Sequence, residues 1–114
     1  MDNCLFCKIA AGEIPSQKVY EDDLIYAFND IEPQAPVHVI IIPKVHIASA
    51  NEITEANSEY ISRIFESIPK IAKDLGISEE GYRVVNNCGE KGGQTVHHIH
   101  FHLMGGRQFM WPAG

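Results

Sequence analysis

The stretch VHHIHFHLM, residues 96–104, carries more information than any other part of this chain. On an extended backbone side chains alternate between faces with period two. That places Val96, His98, His100, His102 and Met104 on one side. His97, Ile99, Phe101 and Leu103 fall on the other, which is expected to face the core or a covering helix. Three imidazoles at successive same-face positions, ~6–7 Å apart, make a ladder. Four of the six histidines lie between positions 97 and 102. A solvated polar stripe is the plain alternative, but a stripe without a task would use Thr, Lys or Glu equally well.

Upstream of the ladder lie a glycine-rich loop, Gly89–Gly93, and a strand expected over Tyr82–Asn86. Before these, Ile61, Ile64, Phe65, Ile68, Ile71, Ala72 and Leu75 repeat with helical spacing, and Gly76 ends the run. One long helix is therefore expected over Thr54–Leu75, with a kink or a break into two at Pro69, since an interior proline costs ~3 kcal/mol. Val37–Ile42 is β-branched, stops at Pro43 and reads as a buried strand. Gln17–Glu21 and Leu24–Phe28 flank Asp22-Asp23 as a hairpin, and Cys4–Ala11, closed by Gly12, reads as a short helix. Short connections imply a five-stranded, largely antiparallel sheet with one long and one short helix on one face, an α+β fold.

With 114 residues the chain is the size of one domain, residues 1–114, with enough core to fold without disulfides. Its 45% apolar and 21% charged residues exclude intrinsic disorder. No apolar run approaches the ~20 residues of a membrane span, and MDNCLFCKIA lacks the basic and apolar regions of a secretory signal. Three cysteines do not make an oxidised framework, so a reducing cytoplasm is expected. Residues 1–80 hold six Lys/Arg against fourteen Asp/Glu, whereas residues 81–114 hold three against one. A net charge of −6 makes a nucleic-acid partner a poor fit. The C-terminal part still suits a small anion.

A neutral imidazole is a nucleophile at pH 7, and neighbouring imidazoles discourage one another from charging. A central histidine is thus equipped to attack phosphorus while its neighbours bond the phosphoryl oxygens. Gly92, Gly93, Gln94 and Thr95 offer backbone N–H groups and a hydroxyl to an anion. The sequence contains neither a GxxxxGK[ST] loop nor an acidic cluster beside the histidines to hold magnesium, which favours covalent catalysis over kinase-like transfer.

His98-Ile99-His100-Phe101-His102-Leu103-Met104 resembles the HφHφHφφ signature (φ, apolar) of the histidine-triad (HIT) superfamily. The likeness spans nearly the whole chain, through AGEIPSQKVYEDD, FNDIEPQAPVHVIIIPKVHI and the terminal GGRQFMWPAG, which resembles the Hint branch. The resemblance implies a HIT-like homodimer that hydrolyses purine nucleoside 5′-phosphoramidates, AMP or GMP derivatives, with no cofactor needed for the chemistry. It implies His100 as nucleophile, His102 as donor to the α-phosphate and His38 as a fourth, orienting histidine. His98 would contribute a main-chain carbonyl that holds the His100 tautomer. Phe28, Asn29, Asp30 and Ile31 match the base-and-ribose pocket, with Asp30 accepting from ribose hydroxyls and Phe28 and Ile31 flanking the base. Asn86, Gly93 and Thr95 match phosphate-contact positions, and Trp111 matches a residue lent to the neighbouring subunit. Asn29 stands where some Hint proteins carry histidine, which leaves adenine and guanine both open.

Cys4-Leu5-Phe6-Cys7 is a CxxC, and zinc needs two ligands more. In some bacterial HIT proteins such a site is completed by histidines matching His46 and His98, so a structural zinc on Cys4, Cys7, His46 and His98 is one reading. A redox pair or plain buried cysteines are the others. Cys88 has no evident partner. Competing functions are dinucleoside polyphosphate hydrolysis or nucleotidyl transfer, and a non-enzymatic nucleotide- or metal-binding dimer acting through protein partners.

Overall fold

The computed structural model describes residues 3–114. In chain order its elements are α1 (Leu5–Ala10), β1 (Lys18–Glu21), β2 (Ile25–Asn29), β3 (Val37–Pro43), a 3-10 turn over Ala50–Glu52, α2 (Ser58–Asp74), β4 (Tyr82–Val85) and β5 (Phe101–Gly105). The strands form one sheet in the order β1-β2-β3-β5-β4, with every neighbouring pair antiparallel. No helix among the described residues is long and apolar enough to cross a membrane.

β3 lies in the middle of the sheet and is buried on both faces, as its VHVIII run requires. Val39 and Ile41 pack with Ile25, Ala27, Ile99, Phe101 and Leu103 beneath Ile64, Ile68 and Ile71 of α2. Ile40 and Ile42 point the other way and pack with Tyr26 and Phe28 against Phe6 and Ile9 of α1. The two helices therefore cover opposite faces, not one face as expected. Alternation along β2 and β3 gives each face its own apolar set, and each set needs a cover.

α2 begins at Ser58, four residues later than Thr54, because Thr54–Asn57 forms a turn in which the Asn57 side chain accepts from the Thr54 N–H at 2.7 Å. It then runs unbroken through Pro69, so neither two helices nor an interruption occurs. Pro69 is exposed and leaves the Phe65 carbonyl without its N–H partner, while the apolar stripe opposite holds the helix to the sheet.

The last strand is also shorter than expected. Ladder pairing begins at Phe101 opposite Ile41, and residues 96–100 run outside it. β3 ends at Pro43, which has no N–H to donate, and the Ile99 N–H bonds instead to the Ile47 carbonyl at 2.6 Å. Ile99, Phe101 and Leu103 are buried as the alternation predicts, but His97 is exposed, since at that point the chain has left the sheet.

Gly105, at the end of β5, faces Ile77, and a Cβ there would lie 2.8 Å from two of its side-chain carbons. Gly105→Ala is expected to destabilise the fold by roughly 1–3 kcal/mol through overpacking, measured as a lower urea midpoint with unchanged slope.

Candidate active site

Main-chain groups decide where the protons sit on the buried histidines. The His100 Nδ1–H donates to the His98 carbonyl at 2.8 Å, so its Nε2 carries the free lone pair. The His98 Nε2–H donates to the Pro43 carbonyl at 2.9 Å, which leaves the His98 Nδ1 lone pair for other partners. The Gln34 backbone N–H donates to His38 Nδ1 at 3.0 Å, so the proton of neutral His38 is on Nε2. That Nε2–H lies 2.9 Å from His102 Nδ1 and 3.3 Å from the Asp30 carboxylate. His102, accepting at Nδ1, then presents its Nε2–H as a donor.

All four rings are held neutral. Burial pushes His98 down to about 4, helped by the nearby His46 and His100 rings and opposed by the bond to Pro43. Burial, with His100 and His38 alongside, also takes His102 down to about 4, against the pull of Asp30. His38 and His100 are lowered mainly by burial, and Asp30 again opposes. A depressed imidazole pKa means that the unfolded chain binds protons the native state refuses, so stability rises with pH across the interval between the two values. In chelator-treated protein, unfolding free energy should fall between about pH 6.5 and pH 4, with His98 alone contributing roughly 3 kcal/mol. Urea titrations at stepped pH measure it.

Two of the four rings, His100 and His102, line a pocket of about 320 Å³, within the range of small-molecule sites. Thr95, Phe28, Asn29, Asp30 and Ile31 line it with them. Phe28 is buried, with Phe6 edge-on at 5.6 Å, whereas Ile31 is 94% exposed at the mouth. One jaw is thus fixed and the other is free. The Asp30 carboxylate spends one oxygen on the Glu32 N–H at 2.8 Å and turns the second towards His38.

Of the three residues expected at the phosphate, Thr95 lines this pocket, and Asn86 and Gly93 do not. The Asn86 amide donates to the His100 carbonyl at 2.9 Å, so it holds the backbone of the central histidine. The Gly93 N–H is consumed within its own loop by the Glu90 carbonyl at 3.0 Å. Trp111 is 84% exposed. The Gln94 N–H and side chain are likewise committed, to Gly89, Ala48 and Val96.

His98 does not join the other two rings of the ladder at the pocket. Its Nδ1 lies 3.2 Å from Cys4 Sγ and 3.4 Å from Cys7 Sγ, and His46 Nδ1 lies 3.4 Å from Cys7 Sγ. The four donor atoms are all within 4.8 Å of one another. A tetrahedral ion with ligand bonds of about 2.0–2.3 Å separates its nitrogen and sulfur ligands by roughly 3.5 Å, so this donor set fits a metal ion. Burial and the adjacent Cys4 thiol push Cys7 up to about 11. Cys88, partly buried, is not part of the cluster.

Sequence reasoning missed three contributors. Gln34 and Pro43 act through main-chain groups, an N–H that any residue but proline supplies and a carbonyl that every residue supplies, so no signal existed. Phe6 packs edge-on against both His98 and His100, at 6.0 and 5.0 Å between ring centres. Its aromatic side chain inside the CxxC was the available clue.

A HIT domain family model matches residues 11–109. The chain is 46% identical to a purine nucleoside phosphoramidase of Escherichia coli strain K12 over 106 residues, 93% of this chain and 89% of that protein. It superposes on a HIT family hydrolase from Legionella pneumophila Philadelphia 1 with a TM-score of 0.95 and 55% identity, covering 98% of this chain and all of that one. A histidine triad nucleotide-binding protein from Candida albicans is similar at a TM-score of 0.82 and 40% identity, over 98% and 85% of the two chains. With its model match, its relatives and its sheet and histidine geometry in agreement, the chain belongs to the HIT domain family.

Proposed function

We propose that this HIT-family hydrolase cleaves the P–N bond of purine nucleoside 5′-phosphoramidates through a nucleotidyl-histidine intermediate. The observation that carries this reading is the commitment of the His100 Nδ1–H to the His98 carbonyl, which leaves a bare Nε2 on a ring that lines the pocket. Nε2 attacks the α-phosphorus, a P–N bond to His100 forms, and the bond to the leaving nitrogen breaks as that nitrogen takes up a proton from solvent and departs as the amine. The positive charge acquired by the ring is met by the His98 carbonyl at Nδ1. Water then attacks phosphorus and expels neutral His100. The His102 Nε2–H, aligned by His38, bonds a phosphoryl oxygen in both steps.

Phe28 and Ile31 flank the purine, Asn29 lies beside it, and Asp30 takes the ribose hydroxyls. Asn86 and Gly93 act on the phosphate end through the backbone and loop that they hold, with Thr95 at the pocket wall. The exposed Trp111 is assigned to the neighbouring site of a homodimer. Zinc is the ion we assign to Cys4, Cys7, His46 and His98, in a structural role, since two thiols and two imidazole lone pairs suit it and no position is left for a reacting water. A reducing cytoplasm, which preserves those thiols, is the compartment assigned.

The test offers purified protein adenosine 5′-phosphoramidate and a diadenosine polyphosphate in parallel. The phosphoramidate is expected to turn over faster, with a nucleotidyl adduct on His100 in rapidly quenched samples. Faster turnover of the polyphosphate, or an adduct elsewhere, overturns the proposal.

A further inference from the structure

The pocket that His100 and His102 line also carries a polar side chain that neither the phosphate nor the ribose accounts for. Of its polar residues, Asp30, Thr95, His100 and His102 fall to the ribose and phosphate, and Asn29 is exposed beside the purine. Ser16 remains. It is half-buried, and its hydroxyl lies 2.7 Å from the hydroxyl of Tyr26.

Burial fixes which way this bond runs. Tyr26 is buried, and among the described residues its hydroxyl has no hydrogen-bond partner except Ser16. A phenol is the stronger donor of the two, and a buried O–H without an acceptor is costly, so the Tyr26 O–H donates to Ser16 Oγ. The Ser16 O–H is then unspent, on a side chain that lines the pocket. Its position follows from β2. Tyr26 and Phe28 are same-face neighbours with ring centres 6.0 Å apart, and Asp30 comes two residues after Phe28. With Asp30 at the ribose and Phe28 against the base, Tyr26 and the serine it holds come one step further along, at the base edge remote from the sugar.

We infer that Ser16, held by Tyr26, is a purine-selecting residue that donates its O–H to N1 of adenine or O6 of guanine. The inference rests on the proposed placement of the nucleoside. Both purines turn an acceptor to that edge, so one hydroxyl serves either. A pyrimidine, one ring shorter, ends before it, and the neighbouring wall of Ile9, Ile14 and Pro15 offers no side-chain hydrogen bond in exchange.

The 5′-phosphoramidates of adenosine, 1-deazaadenosine and cytidine test this, together with calorimetric binding of AMP and 1-deaza-AMP to the full chain. The 1-deaza compound keeps the shape of adenosine and puts a C–H, which accepts nothing, in place of N1. In the native chain, kcat/KM for the adenosine compound should exceed that for the 1-deaza compound by about fivefold, as for one neutral hydrogen bond, with the difference falling on KM far more than on kcat. AMP should bind more tightly than 1-deaza-AMP by the same factor. Ser16→Ala should bring both ratios within about twofold of one, and should reduce the preference for adenosine over cytidine to the same extent. Tyr26→Phe should lower the ratios in part, and Ser16→Thr, which keeps a hydroxyl, should retain them. Should Ser16→Ala alone fail to fold, its combination with Tyr26→Phe, which leaves no orphaned donor, decides. Ratios near one in the native chain, or ratios that survive loss of the Ser16 hydroxyl, overturn the inference. If the phosphoramidates are hydrolysed without regard to N1, only this inference fails; if AMP is preferred and no phosphoramidate is hydrolysed, the phosphoramidase reading fails and this one stands.

Discussion

Replacing His100 with alanine is expected to lower phosphoramidate turnover by about four orders of magnitude or more, with little change in nucleotide affinity. The ring supplies the attacking lone pair, and no neighbour is placed to substitute for it. His102 accepts at Nδ1 from His38, and His98 turns its lone pair to the cysteines. What survives is the binding of the nucleoside and the hydrogen bond from His102, so KM should change far less than kcat. His100 is buried against Phe6, and its removal leaves a small cavity. A glutamine variant, which refills most of that space, should therefore lose turnover equally while keeping its stability. Steady-state kinetics alongside intact-mass measurement of quenched reactions checks both parts. A His100→Ala protein that still carries the nucleotidyl adduct would show that the nucleophile lies elsewhere.

Zinc added to chelator-treated protein should raise the melting temperature by about 15 °C. Binding to the native state alone stabilises by RT ln(1 + [L]/Kd), about 4 kcal/mol at a thousandfold excess over Kd. A domain of this size gains roughly 3–5 °C per kcal/mol. The donor atoms come from the start of α1 and its N-cap, from the chain after β3 and from the approach to β5, so the ion joins three segments that are distant in sequence. Cys7→Ser should abolish most of the gain, and calorimetry with and without zinc measures it. An unchanged melting temperature in the native chain would rule out a metal role for the cluster.

The strands and the core-facing side chains were legible because they depend on local periodicity. VHVIII announces a strand buried on both faces, and Ile99, Phe101 and Leu103 alternate as an extended chain must. The placement of α1 was not legible. Nothing in Cys4–Ala11 says which face of the sheet it covers; that depends on Tyr26, Phe28, Ile40 and Ile42 being left bare by α2. A break into two helices at Pro69 does not occur because propensity is local, whereas the stripe from Ile64 to Ala72 draws on the whole sheet. At the site, residue types were readable and proton positions were not. The tautomers of His38, His98 and His100 are set by an amide of Gln34 and by the carbonyls of Pro43 and His98, which are main-chain groups without a sequence signature.

His98 faces two ways. Its imidazole belongs to the cysteine cluster under the N-terminal helix, and its carbonyl steers the ring two residues on. A helix of six residues has no independent tendency to form, so its first turn is anchored by what it grips. Loosening that grip would be felt at the reacting phosphorus as misalignment, with no chemical group lost. Damage to the amino-terminal segment would then look, in a kinetic assay, like a fault in the active site itself.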